Sequence, residues 1–385
     1  MFLLKLLLRN AFRHKLRTLL TILSITIAIL AFGLLRTFIS AWYAGAEATA
    51  ANRLVTRNAV SLIFPLPLSY KEKIRQVNGV KQISYGNWFG GIYIDEKNFF
   101  ANYAVEPRSY LDLYPEYVLT PDQRDAFLRD RKSFVAGRKL AAKYGWKLGD
   151  IVTLRGTIFP GNWEFVLRGI YRGRDQNTDE TVFFFHWDYL NETVKKTAPL
   201  RADQVGFYMI GVSNPNMAAD VVLSIDRLFK NSIAETLTET EKAFVMGFIS
   251  MSEAIIVAIQ LVSFLVIVII IAVAANTMSM TARERIGEYA IFKTLGYKGW
   301  RMAGMIIGES LVITLIGGIL GILMTYPAAK GVGKILAIYF PVFRVPEEII
   351  LFDLGAALLV GLFASIVPTW RALTIRIADG LRRIG

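Results

Sequence analysis

Four long apolar runs constrain this chain more than any other feature. They cover about 18–41, 254–278, 303–326 and 349–367, the second with a core at 262–271 that is apolar apart from Ser263. A helix rises 1.5 Å per residue and the hydrocarbon core of a bilayer is about 30 Å thick, so roughly 20 apolar residues cross it. Each run meets that length. Hydrophobic residues make up 54% of the 385, more than a soluble chain of this size usually carries.

Charge sets the expected orientation. Residues 42–253 hold 26 Lys+Arg and 24 Asp+Glu, whereas the rest of the chain holds 18 and 7. The formal charge of +13 therefore sits beside the apolar runs, as in cytoplasmic flanks, and not in a nucleic-acid groove. Lys5, Arg9, Arg13, Lys15 and Arg17 precede the first run. Arg283, Arg285, Lys293, Lys298 and Arg301 lie between the second and third, and Arg371, Arg376, Arg382 and Arg383 follow the fourth. These three segments are expected in the cytoplasm, with 42–253 and a short loop outside.

The expected fold class is an α-helical membrane protein with four transmembrane helices plus an α+β extracytoplasmic domain on helical stalks. The expected division is a cytoplasmic amphipathic interfacial helix at 1–17, with the first transmembrane helix at 18–41. An outer α+β domain with flanking stalk helices fills 42–253, and the second transmembrane helix is 254–280. A cytoplasmic loop occupies 281–302 and the third helix 303–326. A short outer loop covers 327–348, the fourth helix 349–367 and a cytoplasmic tail 368–385.

Within the outer region both flanks, 42–60 and 232–253, read as helical continuations of the neighbouring spans. Ser69-Tyr70-Lys71-Glu72 has the form of a capping box. Strands are expected near 91–95, 99–105, 150–154, 163–171, 181–185 and 205–212. A helix at 137–144 ends at Gly145, and another starts at Asn214-Pro215. The whole reads as two α+β subdomains. Phe183-Phe184-Phe185 reads as core, and His186 beside it as a packed or surface histidine.

The chain offers little catalytic chemistry. It has no cysteine and only two histidines, His14 and His186. It contains no G-x-x-x-x-G-K-[ST] phosphate loop, no H-E-x-x-H and no G-x-S-x-G. Energy for any driven process is expected to come from another chain.

The most informative segment runs from Asn276 to Gly296, NTMSMTARERIGEYAIFKTLG. It leaves the membrane as a helix, exposes Arg283, Glu284, Arg285, Glu288 and Lys293, and stops at Gly296. Glu284 and Glu288 stand four apart and repel on an isolated helix; a partner's basic groups or plain solvation would relieve them. This segment resembles the FtsX/MacB family of ABC transporter permeases, whose pattern is approximately N-x-x-x-x-x-V-x-E-R-x-x-E-I-G-x-L-[RK]-A-L-G. Glu284-Arg285 and Lys293-Thr294-Leu295-Gly296 fit it, while Gly287-Glu288-Tyr289-Ala290 keeps the glutamate and loses the following glycine. Arg9–Thr21 at the N-terminus, Gly137-Arg138-Lys139-Leu140-Ala141 with Leu148-Gly149-Asp150, and Pro368-Thr369-Trp370-Arg371-Ala372 are similar to further family features.

The resemblance implies a MacB-type topology of one plus three spans with a periplasmic core domain, in the inner membrane of a bacterial cell, with both termini cytoplasmic. It implies a non-catalytic subunit coupled to a cytoplasmic ABC ATPase, with ATP and Mg held by that partner and no cofactor in this chain. Glu284, Arg285, Glu288, Lys293, Leu295 and Gly296 become candidates for the ATPase-coupling contact. It further implies a permease homodimer and, for efflux members, a periplasmic adaptor (membrane fusion protein) and an outer-membrane duct. FtsX-like regulation of a cell-wall hydrolase and lipoprotein release are the alternatives. Partners are otherwise membrane lipid, with no nucleic acid.

Glu309 lies inside the third apolar run and is the intramembrane candidate, and Arg36 lies near the outer end of the first. Gly304-x-x-x-Gly308 and Gly317-Gly318-x-x-Gly321 are expected to permit close helix contact.

Overall fold

A computed structural model describes residues 9–47, 49–98, 100–336, 340 and 342–375. Most of the first half of the expected interfacial helix and the last ten residues of the tail lie outside the described residues. The chain forms two compact units. One comprises Met1–Ala41, Ser252–Ile335 and Phe343–Gly385, and the other Trp42–Met251 with Leu336–Val342.

The first unit is built on helices α1 (Lys15–Glu47), α3 (Glu253–Glu284), α4 (Ile286–Thr294), α5 (Gly299–Ile335) and α6 (Glu347–Thr374). Helix α2 (Glu241–Ser250) belongs to the second unit. Helices α1, α3, α5 and α6 are long and apolar enough to cross a membrane. All four extend past the expected spans. The fourth runs through buried Pro368 to Thr374, so the segment expected as tail begins as helix.

Helix α5 is the centre of this unit. Cβ atoms added at Gly317 and Gly321 would lie 2.8 Å from Ile25 and Ile29 of α1, and one at Gly318 would lie 2.6 Å from Ala357 of α6. The missing side chains thus let both neighbours approach the α5 backbone. Gly304, by contrast, has nothing within 4 Å of its would-be Cβ. Helix α3 buries Ile256, Ser263, Ile270, Ala274 and Met278, spaced seven or four apart along one stripe. Much of the rest of it is exposed, including Leu261, Phe264, Leu265, Val268 and Ile269, an arrangement suited to lipid.

The second unit is organised by one continuous sheet. Its strands are β1 (Arg53–Asn58), β2 (Val80–Trp88), β3 (Gly91–Ile92), β4 (Asn102–Val105), β5 (Ser133–Gly137), β6 (Ile151–Gly156), β7 (Gly161–Gly173), β8 (Phe183–His186), β9 (Phe207–Val212) and β10 (Thr236–Thr240). Their spatial order is β10-β1-β9-β2-β4-β8-β5-β7-β6-β3, with Tyr117–Val118 pairing on β7. The pairs β4/β8 and β5/β7 are parallel, and the other pairs in that order are antiparallel. Strand β8 lies in the middle, between β4 and β5. Its Phe183 and Phe185 enter one apolar cluster and Phe184 the other, so the three consecutive phenylalanines cover both faces.

Three expectations need correction. The flanks 42–60 and 232–253 are not helical throughout: β1 and β10 occupy their inner parts and pair with each other, leaving helix only at the end of α1 and in α2. The domain is not split into two subdomains, because the parallel β4/β8 pair carries the sheet across the midpoint. Ser69 makes no side-chain capping bond and is itself helical, so the capping box does not form. Asn214 does cap, accepting from the Asn216 amide before a short 3-10 turn and the helix Ala218–Leu228.

Candidate coupling interface

The six coupling candidates occupy the connection from α3 to α5. Glu284 is the last residue of α3, Arg285 sits at the break, and Glu288 and Lys293 lie on α4. Leu295 caps α4, and Gly296 follows with φ +79. The Gly296 amide donates to Lys293 O and the Tyr297 amide to Phe292 O, both near 3 Å, and the Phe292 and Tyr297 rings lie 5.3 Å apart. This is a Schellman turn with its apolar contact, and it requires the left-handed conformation that glycine adopts without strain.

The charged members of the set find their partners inside the chain. Arg285 is buried. Its Nη1 donates to Glu309 Oε2 at 2.7 Å, its Nε to Glu288 Oε2 at 3.0 Å, and its guanidinium stands 5.6 Å from the Tyr289 ring. Glu309 is therefore half of a buried ion pair that fastens the loop to α5. Glu288 also pairs with Arg13. Arg17 grips Glu284 with two bonds, at 2.8 and 2.7 Å, and His14 Nε2 is 3.4 Å away. The repulsion between Glu284 and Glu288 is thus relieved by this chain's own N-terminal segment. Lys293 Nζ donates to Leu373 O and Ile375 O at 2.8 and 2.7 Å, satisfying carbonyls at the α6 terminus.

Beneath these bonds Ala282, Tyr289, Met302, Ile306 and Ala372 form a small apolar core with Phe292 packed on it. Outward the loop presents Arg283, Lys298 and Arg301 together with an apolar group. Leu295 is 69% exposed and Ile291, one turn earlier on α4, 43%; Tyr297 and Trp300 are exposed beside them. Of the six candidates Leu295 alone is an outward-facing apolar group. Ile291, Tyr297, Trp300, Arg13 and Arg17 were not singled out from the sequence as part of this site. A readable signal existed for the arginines: Arg13 and Arg17 stand four apart, as do Glu284 and Glu288, with opposite charge.

The α+β unit holds a second polar cluster. Arg53 on β1 donates from Nε to Glu241 Oε2 at 2.6 Å and lies 2.7 Å from Glu116; its guanidinium sits 4.2 Å over the Tyr114 ring. The Tyr114 hydroxyl donates to Glu241 Oε1 at 2.9 Å. Burial raises the Glu241 carboxyl above its ordinary value despite the adjacent Arg53. Since Glu241 opens α2, this cluster ties the strand that follows α1 to the helix that precedes α3. A cleft of about 530 Å³ lies alongside, its walls carrying both signs of charge, Lys81 and Arg174 against Asp112 and Asp175. His186 is buried, with Nε2 2.7 Å from Phe127 O, and belongs to the core. Among the described residues no group of three His, Asp or Glu side chains is placed to hold a metal ion.

Residues 260–377 match the family described as FtsX-like permease C-terminal. An uncharacterized ABC transporter permease of Bacillus subtilis, YvrN, is 33% identical over 108 residues, covering 28% of this chain and 25% of the relative. The uncharacterized ABC transporter permease MJ1507 of Methanocaldococcus jannaschii is 24% identical over 268 residues, covering 65% and 62%. The chain thus spans from a quarter to about three fifths of these relatives' length. Among solved structures, the extracellular domain of the noncanonic ABC-type transporter YknZ aligns at a TM-score of 0.36 and 12% identity, over 49% of this chain and all of that one. A domain of a putative permease from Porphyromonas gingivalis aligns at 0.31 and 15%, over 49% and 88%. The segment that carries helices α3 to α6 and the loop built between them is thus similar to the C-terminal domain of FtsX-like permeases.

Proposed function

We propose that this chain is the membrane subunit of an ABC transporter, driven by an ATPase in a separate cytoplasmic chain. The observation that carries the reading is the α3–α5 loop. Glu284, Arg285 and Lys293 are consumed in fastening it to α1, α5 and α6, while Ile291 and Leu295 are left facing out. A partner seated on that apolar face would move a loop rigidly joined to three long helices. In this reading both termini are cytoplasmic, the protein lies in the inner membrane, and the α+β domain is periplasmic. Two copies pair, and ATP-driven closure is passed to the periplasmic domains. The output is export of a periplasmic or outer-leaflet substrate, with an adaptor and an outer-membrane duct.

The test is co-purification with a candidate ATPase, comparing wild type with an Ile291→Asp, Leu295→Asp double variant. Both positions are exposed, so the variant is expected to insert and fold normally, with the Arg285–Glu309 pair intact. The complex and its permease-dependent ATP hydrolysis are expected to be lost. A variant that still binds and stimulates the ATPase would sink the assignment of this face.

A further inference from the structure

The helix bundle holds a second intramembrane carboxyl, and its surroundings are the reverse of those of Glu309. Asp353, two turns into α6, is 1% exposed, and its Oδ1 has no hydrogen-bond partner. The carboxyl lies against the bare backbone of Gly33 on α1: a Cβ there would come within 2.7 Å of Asp353 Oδ2 and 3.0 Å of Thr325 Oγ1. The Thr325 hydroxyl, on α5, already donates to Gly321 O at 2.9 Å, so its proton is committed elsewhere. One turn along α1 from Gly33 stands Arg36. Its Nε is also buried without a partner, and its guanidinium rests 5.5 Å from the Phe32 ring and 5.2 Å from the ring of Phe352, the residue next to Asp353.

The other charged residues of this unit at this end are Glu253 on α3, Lys330 and Lys334 on α5, Arg344 in the connection that follows, and Glu347 and Glu348 on α6 itself. Among the described residues none makes an ion pair with Asp353. An ionised carboxylate held dry with neither donor nor counter-ion is strongly disfavoured, and such a group takes up a proton instead. An arginine nearby cannot give up its own proton. Among the described residues, an acid and a cation without an ion-pair partner thus stand on two helices in contact, Asp353 against Gly33 of α1 and Arg36 of α1 against the Phe352 ring beside Asp353.

We propose that Asp353 is a proton-binding site of the bundle: protonated in the packing seen here, and ionised against Arg36 when α1 and α6 repack. The change breaks the Asp353 O–H bond, delivers the proton to the adjoining aqueous phase, and leaves Arg36 charged throughout. The two packings then differ by one proton, and proton concentration biases the choice between them. This inference does not rest on the transporter reading and is tested without an ATPase.

The measurement is infrared spectroscopy of the full chain in lipid nanodiscs with carboxyl-labelled aspartate. Near neutral pH we expect a protonated-carboxyl C=O stretch that shifts with the isotope and on transfer to D2O. It should be absent from the Asp353→Asn variant, which keeps the shape of the side chain. It should fade as pH rises, and Arg36→Gln should move that loss to higher pH by removing the waiting counter-ion. If labelled wild type shows no such band at neutral pH, Asp353 is ionised and the proposal fails. If the band is present but Arg36→Gln leaves its pH dependence unchanged, the paired second state is overturned.

Discussion

Substituting Arg285 with methionine tests whether the loop is held by its buried ion pair. The side chains of Arg285 and Glu309 are 7% and 9% exposed, and their contact is 2.7 Å. Removing one member leaves an uncompensated buried charge, a loss of about 3–5 kcal/mol, whereas replacing both with apolar groups of similar volume is near neutral or stabilising. Arg285→Met should therefore loosen α4 by several kcal/mol, and Arg285→Met with Glu309→Leu should restore much of it. Glu309→Gln should fall between, because Arg285 keeps Glu288 at 3.0 Å. The apolar core of Tyr289, Met302, Ile306 and Ala372 is untouched in every case, so the unit stays folded and only the docking of the loop weakens. Amide hydrogen exchange of the full chain in nanodiscs, read on peptides covering 286–295, reports this directly. At 1.4 kcal/mol per decade, the single variant should exchange roughly two to four orders of magnitude faster. Unchanged exchange in Arg285→Met, or a double variant as loose as the single, would refute the argument.

Two further outcomes follow from the α+β unit. Arg53→Met strands Glu241 and Glu116 together beside Tyr114; a loss of about 3–5 kcal/mol is expected, seen as a fall of roughly 6–20 °C in the domain's thermal unfolding for a unit of this size. A melting temperature within a degree of wild type would contradict the clamp. Burial lowers the His186 imidazole below its ordinary value against the pull of the Phe127 carbonyl, so the folded state binds fewer protons there than the unfolded chain. Its contribution is complete above the unfolded value and is lost as pH falls through it toward the lower folded value, at up to about 1.4 kcal/mol per pH unit. His186→Gln should flatten that acid-side slope in unfolding experiments, and an unchanged slope would assign it to other groups.

Much of this architecture was legible in the sequence, for physical reasons that also explain what was not. The spans announce themselves because a lipid-facing helix is apolar on most sides, and no tertiary context is needed to see it. Strands β1 and β10 were read as helix because β10 turns polar residues inward. Thr236 and Thr238 are buried with their hydroxyls donated to Asp226 at 2.9 and 2.7 Å, and Thr238 meets Thr56 of β1 at 3.0 Å. A strand whose core face is threonine shows no hydrophobic alternation. The continuous sheet was hidden for another reason: β4 and β8 are neighbours only through a parallel crossover, which local pattern does not encode. In the α3–α5 loop the residues named from the sequence lie together, but their partners come from distant segments: Arg13 and Arg17 near the N-terminus, Glu309 on α5 and the carbonyls at the end of α6. Charge spacing is readable; which complementary pair meets is decided by packing.

Asp353 shows the same division from the other side. In the sequence it is a single acid near the start of an apolar run, no different from a flank residue such as Glu347. Its isolation is created by Gly33, by a threonine whose proton is spent, and by a cation turned onto aromatic rings, all contributed by other helices. The two intramembrane carboxyls then divide the work of the bundle. Glu309 is matched by Arg285 and loses several kcal/mol if the pair is broken, so it fixes a geometry through which a loop can push. Asp353 is unmatched, so its preferred packing changes when one proton leaves. A rigid joint at the loop and a bistable contact at the opposite end of α5 and α6 are together what a helix bundle needs to convert a push into a switch.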